Sequence, residues 1–187
     1  MASSRVHQIV GTMTNSLDRH SHPGEPSILD SDAFEHVVRW APLCAIDLVI
    51  TDPAGSVLLG LRRNEPASEY YFVPGGRVRK GERLEVAFRR ILWSETAIEA
   101  DMSQAIALGV FEHFYDTNAL GKDGFGTHYI CLAYQIELPN RAHFSRDSQH
   151  KEMRWIPPYE RSQLKVHPYA AAYLDQAIGR SRSFTSE

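Results

Sequence analysis

The sequence predicts an α/β/α sandwich around a mixed β-sheet. Three observations carry that prediction. Short apolar runs bounded by turn residues recur through the middle of the chain and read as strands. Stretches with helical spacing of apolar residues are interspersed with them. Neighbouring strands joined by short turns pair with one another, which leaves two sheet faces for the helices to cover.

Residues 1–27 are polar, rich in Ser and His, and without periodicity. They read as a mobile extension, in which His20 and His22 are incidental. Order is expected to begin near Ser31 or Asp32, either of which suits an N-cap. A helix runs from there to about Trp40 with Phe34, Val37 and Val38 on one face, and Pro42 ends it. Residues 43–50 form a strand, 51–56 carry turn chemistry, and 57–61 and 69–73 form further strands. Pro74-Gly75-Gly76 is expected to let the backbone turn sharply and approach a ligand. A helix over 82–97 presents Leu84, Ala87, Phe88, Ile91, Leu92 and Trp93 as its apolar residues. Strands follow at about 105–115, 127–138 and 151–156. Pro157-Pro158 breaks the chain, and a last helix over 168–178 turns Tyr173, Leu174 and Ala177 inward. With no internal repeat, 28–180 reads as one domain and 181–187 as a mobile tail.

Composition narrows the function classes. A chain of 187 residues suits one domain with a full core, and 43% hydrophobic with 23% charged residues is ordinary for a soluble protein. A net charge of −3 provides no basic field for nucleic acid. No apolar run is long enough to cross a bilayer, and the N-terminus lacks the apolar core of a secretory signal. Cys44 and Cys131 both lie in apolar runs and are expected to be buried, reduced thiols, which fits a cytoplasmic location.

The segment that carries the chemistry is Gly76, five residues, Glu82, seven residues, Arg90, and then Glu95 near the end of a helix. This spacing, after a Pro-Gly-Gly sequence, resembles the Nudix box, and the fold it implies is a Nudix-type α/β/α sandwich. In that family a loop and helix hold a divalent metal against a diphosphate. The departures matter as much as the match. Where the box usually reads Arg-Glu-x-x-Glu-Glu, this chain reads Arg90-Ile91-Leu92-Trp93-Ser94-Glu95, so a single acid stands where three are usual. Mg²⁺ takes oxygen ligands in an octahedron. One carboxylate does not suit a site for several ions, nor does it leave a spare one to activate water against phosphorus. An isolated Glu95 would read as a solvated helix carboxylate; the full spacing turns that reading towards metal binding. Glu82 and Arg90 lie about two helical turns apart and are expected to form a structural ion pair, with Gly76 in the same loop.

The chain from about residue 28 to residue 174 resembles one branch of that superfamily, the GDP-mannose mannosyl hydrolases. The resemblance rests on Asp47 in 43–50, Leu58-Leu-Gly-Leu-Arg-Arg-Asn64 with Pro66-Ala67, Tyr71-Phe-Val-Pro-Gly-Gly-Arg-Val78, Gly109-Val-Phe-Glu-His-Phe-Tyr-Asp116, Thr127-His-Tyr129 and Gln149-His150. Members hydrolyse the bond between the sugar anomeric carbon and the β-phosphate, with GDP leaving. The resemblance implies GDP-mannose as substrate, with GDP-glucose as a second, and Mg²⁺ (or Mn²⁺) as cofactor. It implies that the metal is held by the Gly75 carbonyl, Glu95 and Gln149. It further implies His150 as general base, Arg62 on the departing phosphate, Arg77 as a second substrate-contacting arginine, and Tyr129 and Asp47 near the sugar and its phosphate. His113 and Tyr115 share a strand face by alternation and are candidates to line the pocket. Phe34 is a candidate to stack on guanine, with Leu29 beside it. Plainer alternatives exist for these: Gln149 and His150 as polar loop residues, Arg62 as a solvated strand end, Tyr129 and Phe34 as packing. The branch also implies a homodimer. Glu65, where the branch often has a basic residue, and Ala97, in place of the usual glycine, are departures. Two rival functions remain at this stage: a conventional Nudix pyrophosphohydrolase that cuts between phosphates, and a ligand-binding module without catalysis.

Overall fold

The computed structural model describes residues 29–138 and 150–183, with His150 and 178–183 described by backbone alone. The extension over 1–27 and Gln149 lie outside the described residues. The chain runs α1 (Ser31–Trp40), β1 (Leu43–Thr51), β2 (Val57–Arg62), β3 (Tyr71–Phe72), β4 (Gly75–Arg77), α2 (Leu84–Thr96), β5 (Ile106–Tyr115), β6 (Thr127–Glu137), β7 (His150–Ile156) and α3 (Pro168–Ser183). One seven-stranded sheet has the order β3-β2-β1-β6-β5, with β4 on β1 and β7 on β2. It is mixed: β1 and β6 are parallel, whereas the other named pairs are antiparallel.

Alternation along β1 divides the interior in two. Ile46, Leu48 and Ile50 join Leu58 and the α2 residues Ala87, Phe88, Ile91 and Leu92 on one face. Ala45 and Val49 join Cys131, Ala133 and the α3 residues Ala170, Tyr173, Leu174 and Ala177 on the other. Each fully buried Leu, Ile or Phe is worth about 1.5–3 kcal/mol over leaving it exposed, so both helices are held by their apolar stripes.

β1 and β2 meet at their turn, where Thr51 pairs Val57, and then diverge. The segment after Tyr71 fills the wedge: β3 pairs with β2, and across Val73-Pro74 the chain changes partner so that β4 pairs with β1. Predicted and observed elements differ at instructive places. The α1 N-cap is Asp30, whose carboxylate accepts from the Ala33 N–H at 2.8 Å. The strand over 69–73 shrinks to two residues because Ala67 and Glu69 adopt left-handed backbone (φ 67° and 64°). Gly75 and Gly76 lie in a strand instead of a turn, and what requires glycine at 75 is close approach. A Cβ there would collide with the Asp47 carboxylate and lie 2.9 Å from the Ile46 carbonyl oxygen. Trp93 points outward, 54% exposed, because it falls off the stripe of Phe88, Ile91 and Leu92. Cys131 is buried as expected, but Cys44 is exposed: it is the one outward residue of β1. The last helix continues to Ser183, beyond the predicted 178.

Candidate active site

Nine of the site residues singled out in the sequence converge on one cavity of about 320 Å³. Phe34, Asp47, Arg62, Gly75, Gly76, Arg77, His113, Tyr115 and Tyr129 all line it, together with Glu65, Phe72 and Cys131. The sheet explains the convergence. Asp47 and Ala45 share the α3 face of β1. The β6 register places Tyr129 beside Leu43 and Cys131 beside Ala45, and the β5 register places His113 beside Tyr129. Three adjacent strands thus turn polar side chains to one floor.

That floor is a hydrogen-bonded cluster. Tyr173 reaches down from α3, and its hydroxyl donates to Asp47 Oδ2 at 2.7 Å and lies 2.8 Å from His113 Nε2. Cys131 Sγ lies 3.4 Å from His113 Nδ1. The His113 ring stacks on Tyr169 with centroids 4.0 Å apart and planes 3° apart. Burial disfavours charge here. It pushes the Asp47 carboxyl up to about 6 against the opposing hydrogen bonds from Tyr173 and Cys131 and the charge of Arg62. Burial, with His167 adding to it, holds His113 down at about 4, so its imidazole is neutral. Burial raises Tyr115 and Tyr129 as well, so both phenols keep their protons.

The walls are cationic and aromatic. Arg62 is anchored by its Nε donating to the Pro66 carbonyl at 2.8 Å, which fixes the guanidinium at the cavity. The Arg77 guanidinium lies 3.9 Å from the centroid of Phe34, a cation–π contact. Glu65 is at the rim, where its carboxylate accepts from Thr117 Oγ1 at 2.9 Å. Leu29, 43% exposed, precedes α1 and is not among the lining residues.

The box supports this floor from the other side of the sheet. Arg90 forms a bidentate pair with Glu82, at 2.7 Å and 2.8 Å. Glu82 also accepts from the Arg79 N–H, and Arg90 donates to the Arg77 carbonyl, both at 2.9 Å. The loop from β4 to α2 is therefore tied to the helix. Arg90 accordingly draws the Glu82 carboxyl below its ordinary range. Ile91 is 1% exposed in the α2 core, and a Cβ on Gly76 would come within 3.1 Å of it. Ser94 is spent on its own helix, donating to the Ile91 carbonyl at 3.1 Å. Glu95 is buried at the end of α2 and is not among the lining residues. The register places His150 beside Arg62, at the mouth end of β2.

Oxygen donors for a hard cation are present. Val78 donates to the Cys44 carbonyl and Leu48 to the Pro74 carbonyl. In an antiparallel ladder this alternation makes Asp47 and Gly75 a non-hydrogen-bonded pair, so the Gly75 carbonyl points away from β1. A second donor group, Asp47, His113 and Cys131, has its ligand atoms within 4.8 Å of one another. Its thiol and imidazole suit a softer ion than Mg²⁺, and its atoms are already engaged with one another and with Tyr173.

Tyr173 and Cys131 are participants that the sequence marked only as buried, and Tyr169 is one that it did not single out. The signal for Tyr173 was its inward phase on the last helix; nothing in the sequence pairs it with Asp47, 126 positions away.

A loop and helix carrying Gly76, Glu82, Arg90 and Glu95, set against a mixed sheet with an arginine-walled cavity beside them, define a Nudix-type protein. The chain belongs to the NUDIX domain family, whose model matches residues 23–176, and a Nudix hydrolase is the class that this membership supports. It is 37% identical over 161 residues to the low-salt glycan biosynthesis protein Agl8 of Haloferax volcanii, covering 84% of this chain and 97% of that protein. The fold matches the NUDIX domain of Shewanella oneidensis NrtR, complexed with ADP ribose (TM-score 0.61, 22% identity, 81% of this chain and 93% of that one). It also matches a MutT NUDIX hydrolase from Burkholderia pseudomallei (TM-score 0.58, 21% identity, 72% and 97%). Among the described residues, no helix is long and apolar enough to cross a membrane.

Proposed function

We propose that the protein hydrolyses GDP-mannose, with GDP-glucose as a second substrate, to GDP and free sugar by attack of water on the anomeric carbon. The observation that carries this reading is the fate of the box. Ile91 is packed into the core and Ser94 is bonded to its own helix. Neither position offers a carboxylate to activate water against phosphorus, while acid, imidazole and phenol groups gather on the opposite sheet face. The sugar end of a substrate belongs at that floor, near Asp47 and Tyr129. Arg62 and Arg77 face the diphosphate; two guanidiniums suit its charge and geometry. Phe34 offers an aromatic surface to guanine, with Arg77 on the ring.

The general base is His150, whose neutral imidazole takes the proton of the attacking water. Mg²⁺, with Mn²⁺ as a substitute, would be held by the Gly75 carbonyl, Glu95 and Gln149, and supplies positive charge for a departing diphosphate. The glycan role in the name of the Haloferax volcanii relative is in keeping with a nucleotide-sugar substrate. The protein acts in the cytoplasm as a homodimer on this reading, as one domain over 28–180.

Incubation with GDP-mannose and Mg²⁺ in ¹⁸O water tests it. GDP and ¹⁸O-labelled mannose are expected. GMP with mannose 1-phosphate would establish diphosphate cleavage instead, and binding without product would establish a binding module.

A further inference from the structure

The cavity floor contains a group that the proposed reaction does not use. Tyr173 is fully buried, and its hydroxyl touches two polar partners at once, Asp47 Oδ2 and His113 Nε2. A phenol has one proton to give, so it donates to one partner and must accept from the other. The His113 ring is held in place by Tyr169 stacked on its face and by Cys131 at Nδ1. Its proton is therefore assigned by its partners and not by rotation.

Two arrangements satisfy the distances. In the first, Tyr173 donates to Asp47 Oδ2, His113 donates from Nε2 to the Tyr173 oxygen, and Nδ1 accepts from the Cys131 thiol. In the second, a protonated Asp47 donates to Tyr173, Tyr173 donates to Nε2, and His113 carries its proton on Nδ1, pointing at sulfur. The first gives the phenol proton to a carboxylate, a charge-assisted bond of roughly twice the strength of a neutral one. The second directs an imidazole N–H to a thiol, which is a weak acceptor. The thiol also lies against the Asp47 carboxyl. Whichever partner the thiol serves, the bond from Tyr173 to Asp47 and the proton on Nε2 are unchanged.

We propose that Tyr173 is a positioning residue: by donating to Asp47 Oδ2 it fixes His113 as the Nε2–H tautomer and leaves Asp47 Oδ1, beside Gly75, as the floor's acceptor for a ligand hydroxyl. His113, with both nitrogens engaged inside the cluster, then acts through Tyr173 and Asp47 and makes no polar contact with ligand. The ligand class follows from the chemistry: Oδ1 only accepts, so it selects a group that brings a hydrogen-bond donor, such as a sugar hydroxyl. This last point rests on the nucleotide-sugar reading; the tautomer assignment does not.

The test is long-range ¹H–¹⁵N correlation of the histidine rings in the full-length, ligand-free protein at neutral pH, with His113→Gln assigning the signal. A proton on Nε2 and a bare Nδ1 are expected. A proton on Nδ1 would overturn the proposal. Tyr173→Phe keeps the ring and its volume, and is expected to abolish the tautomer preference of His113; an unchanged Nε2–H signal would overturn the role of Tyr173. Cys131→Ala is expected to retain Nε2–H, and a switch of tautomer there would assign the control to Cys131 instead. If Tyr173→Phe does not fold, the wild-type and Cys131→Ala spectra still decide. With GDP-mannose, Tyr173→Phe is expected to lose about 10–10²-fold in kcat/KM, the worth of one hydrogen bond to a charged group. Absence of turnover in the wild type would sink the proposed function and leave the spectra to judge Tyr173.

Discussion

The two faces of the sheet are built from the same strands and differ in kind. The α2 face is apolar where a metal-rich Nudix site would be acidic: Ile91 fills the core under Gly76, and Glu95 is the remaining carboxylate of the three box positions. The α3 face carries Asp47, His113, Cys131 and Tyr173 in one hydrogen-bonded cluster below a cavity. The contrast teaches that Glu82 and Arg90 of the box work as scaffold. Together they tie the loop down, beside Gly75 and Arg77, which line the cavity on the other face.

The largest effect expected is on catalysis in the proposed reaction. His150→Gln should lower kcat on GDP-mannose by about 10²–10⁴-fold, the usual contribution of a general base, with KM within a few-fold. The acidic limb of the pH–rate profile should vanish with it. A variant that keeps rate and limb would move the base elsewhere, and Asp47 would be the first candidate.

The α2 side should respond in stability instead. Restoring the missing acid as Ile91→Glu places a charge in a core position, and should cost about 3–5 kcal/mol in urea unfolding. Ser94→Glu, at an exposed position, should stay within about 0.5 kcal/mol. Equal tolerance of both would mean that the α2 face is less committed to packing than its burial implies.

A subtler difference should appear in the pH dependence of stability. Asp47 is raised from 3.8 to about 6, so the folded state binds more protons than the unfolded one in that window. Its contribution is fully present below 3.8 and is lost as pH rises through about 6. His113 is lowered from 6.5 to about 4, and its contribution is present above 6.5 and lost as pH falls through about 4. The two slopes oppose each other between about 4 and 6. Wild-type urea midpoints should therefore vary little across that window, whereas Asp47→Asn should unmask the His113 slope and become steadily more stable towards pH 6.5. A flat profile for the variant would remove His113 as a buried neutral group.

A further small effect concerns the end of α2. Ala97 holds a left-handed C-cap (φ 55°, ψ 27°) and donates its N–H to the Trp93 carbonyl. That conformation costs a non-glycine residue about 1–2 kcal/mol. Ala97→Gly should therefore raise stability by about 1 kcal/mol after the greater chain entropy of glycine is offset, measured as a shift in Tm.

Much of this was legible in the sequence because the signals are local. Helical spacing marked α1, α2 and α3, and the run from Gly76 to Glu95 marked the loop and helix. Strand alternation placed His113 and Tyr115 on one face, and both line the cavity. What was not legible depends on partners distant in the chain. The β4 strand exists because β1 and β2 splay apart and leave an edge to fill, which no window around Gly75 reveals. Cys44 reads as apolar in its run, yet it faces outward, since burial of a strand residue depends on what covers its face. Tyr173 is a plausible core residue in any helix; its second role arises only when α3 docks above Asp47.

That last dependence has a consequence for how the protein is made. Asp47 is in the first strand and its hydroxyl partner is in the last helix, so the bond between them closes a span of 126 residues. Contacts of such separation form late, because the entropy of closing the loop must be met before they contribute. On a chain that emerges from the ribosome N-terminus first, Asp47 is made before His113, Cys131 and Tyr173. Asp47 remains solvated until α3 arrives, and the step that shuts water out of the cavity floor is also the step that completes it.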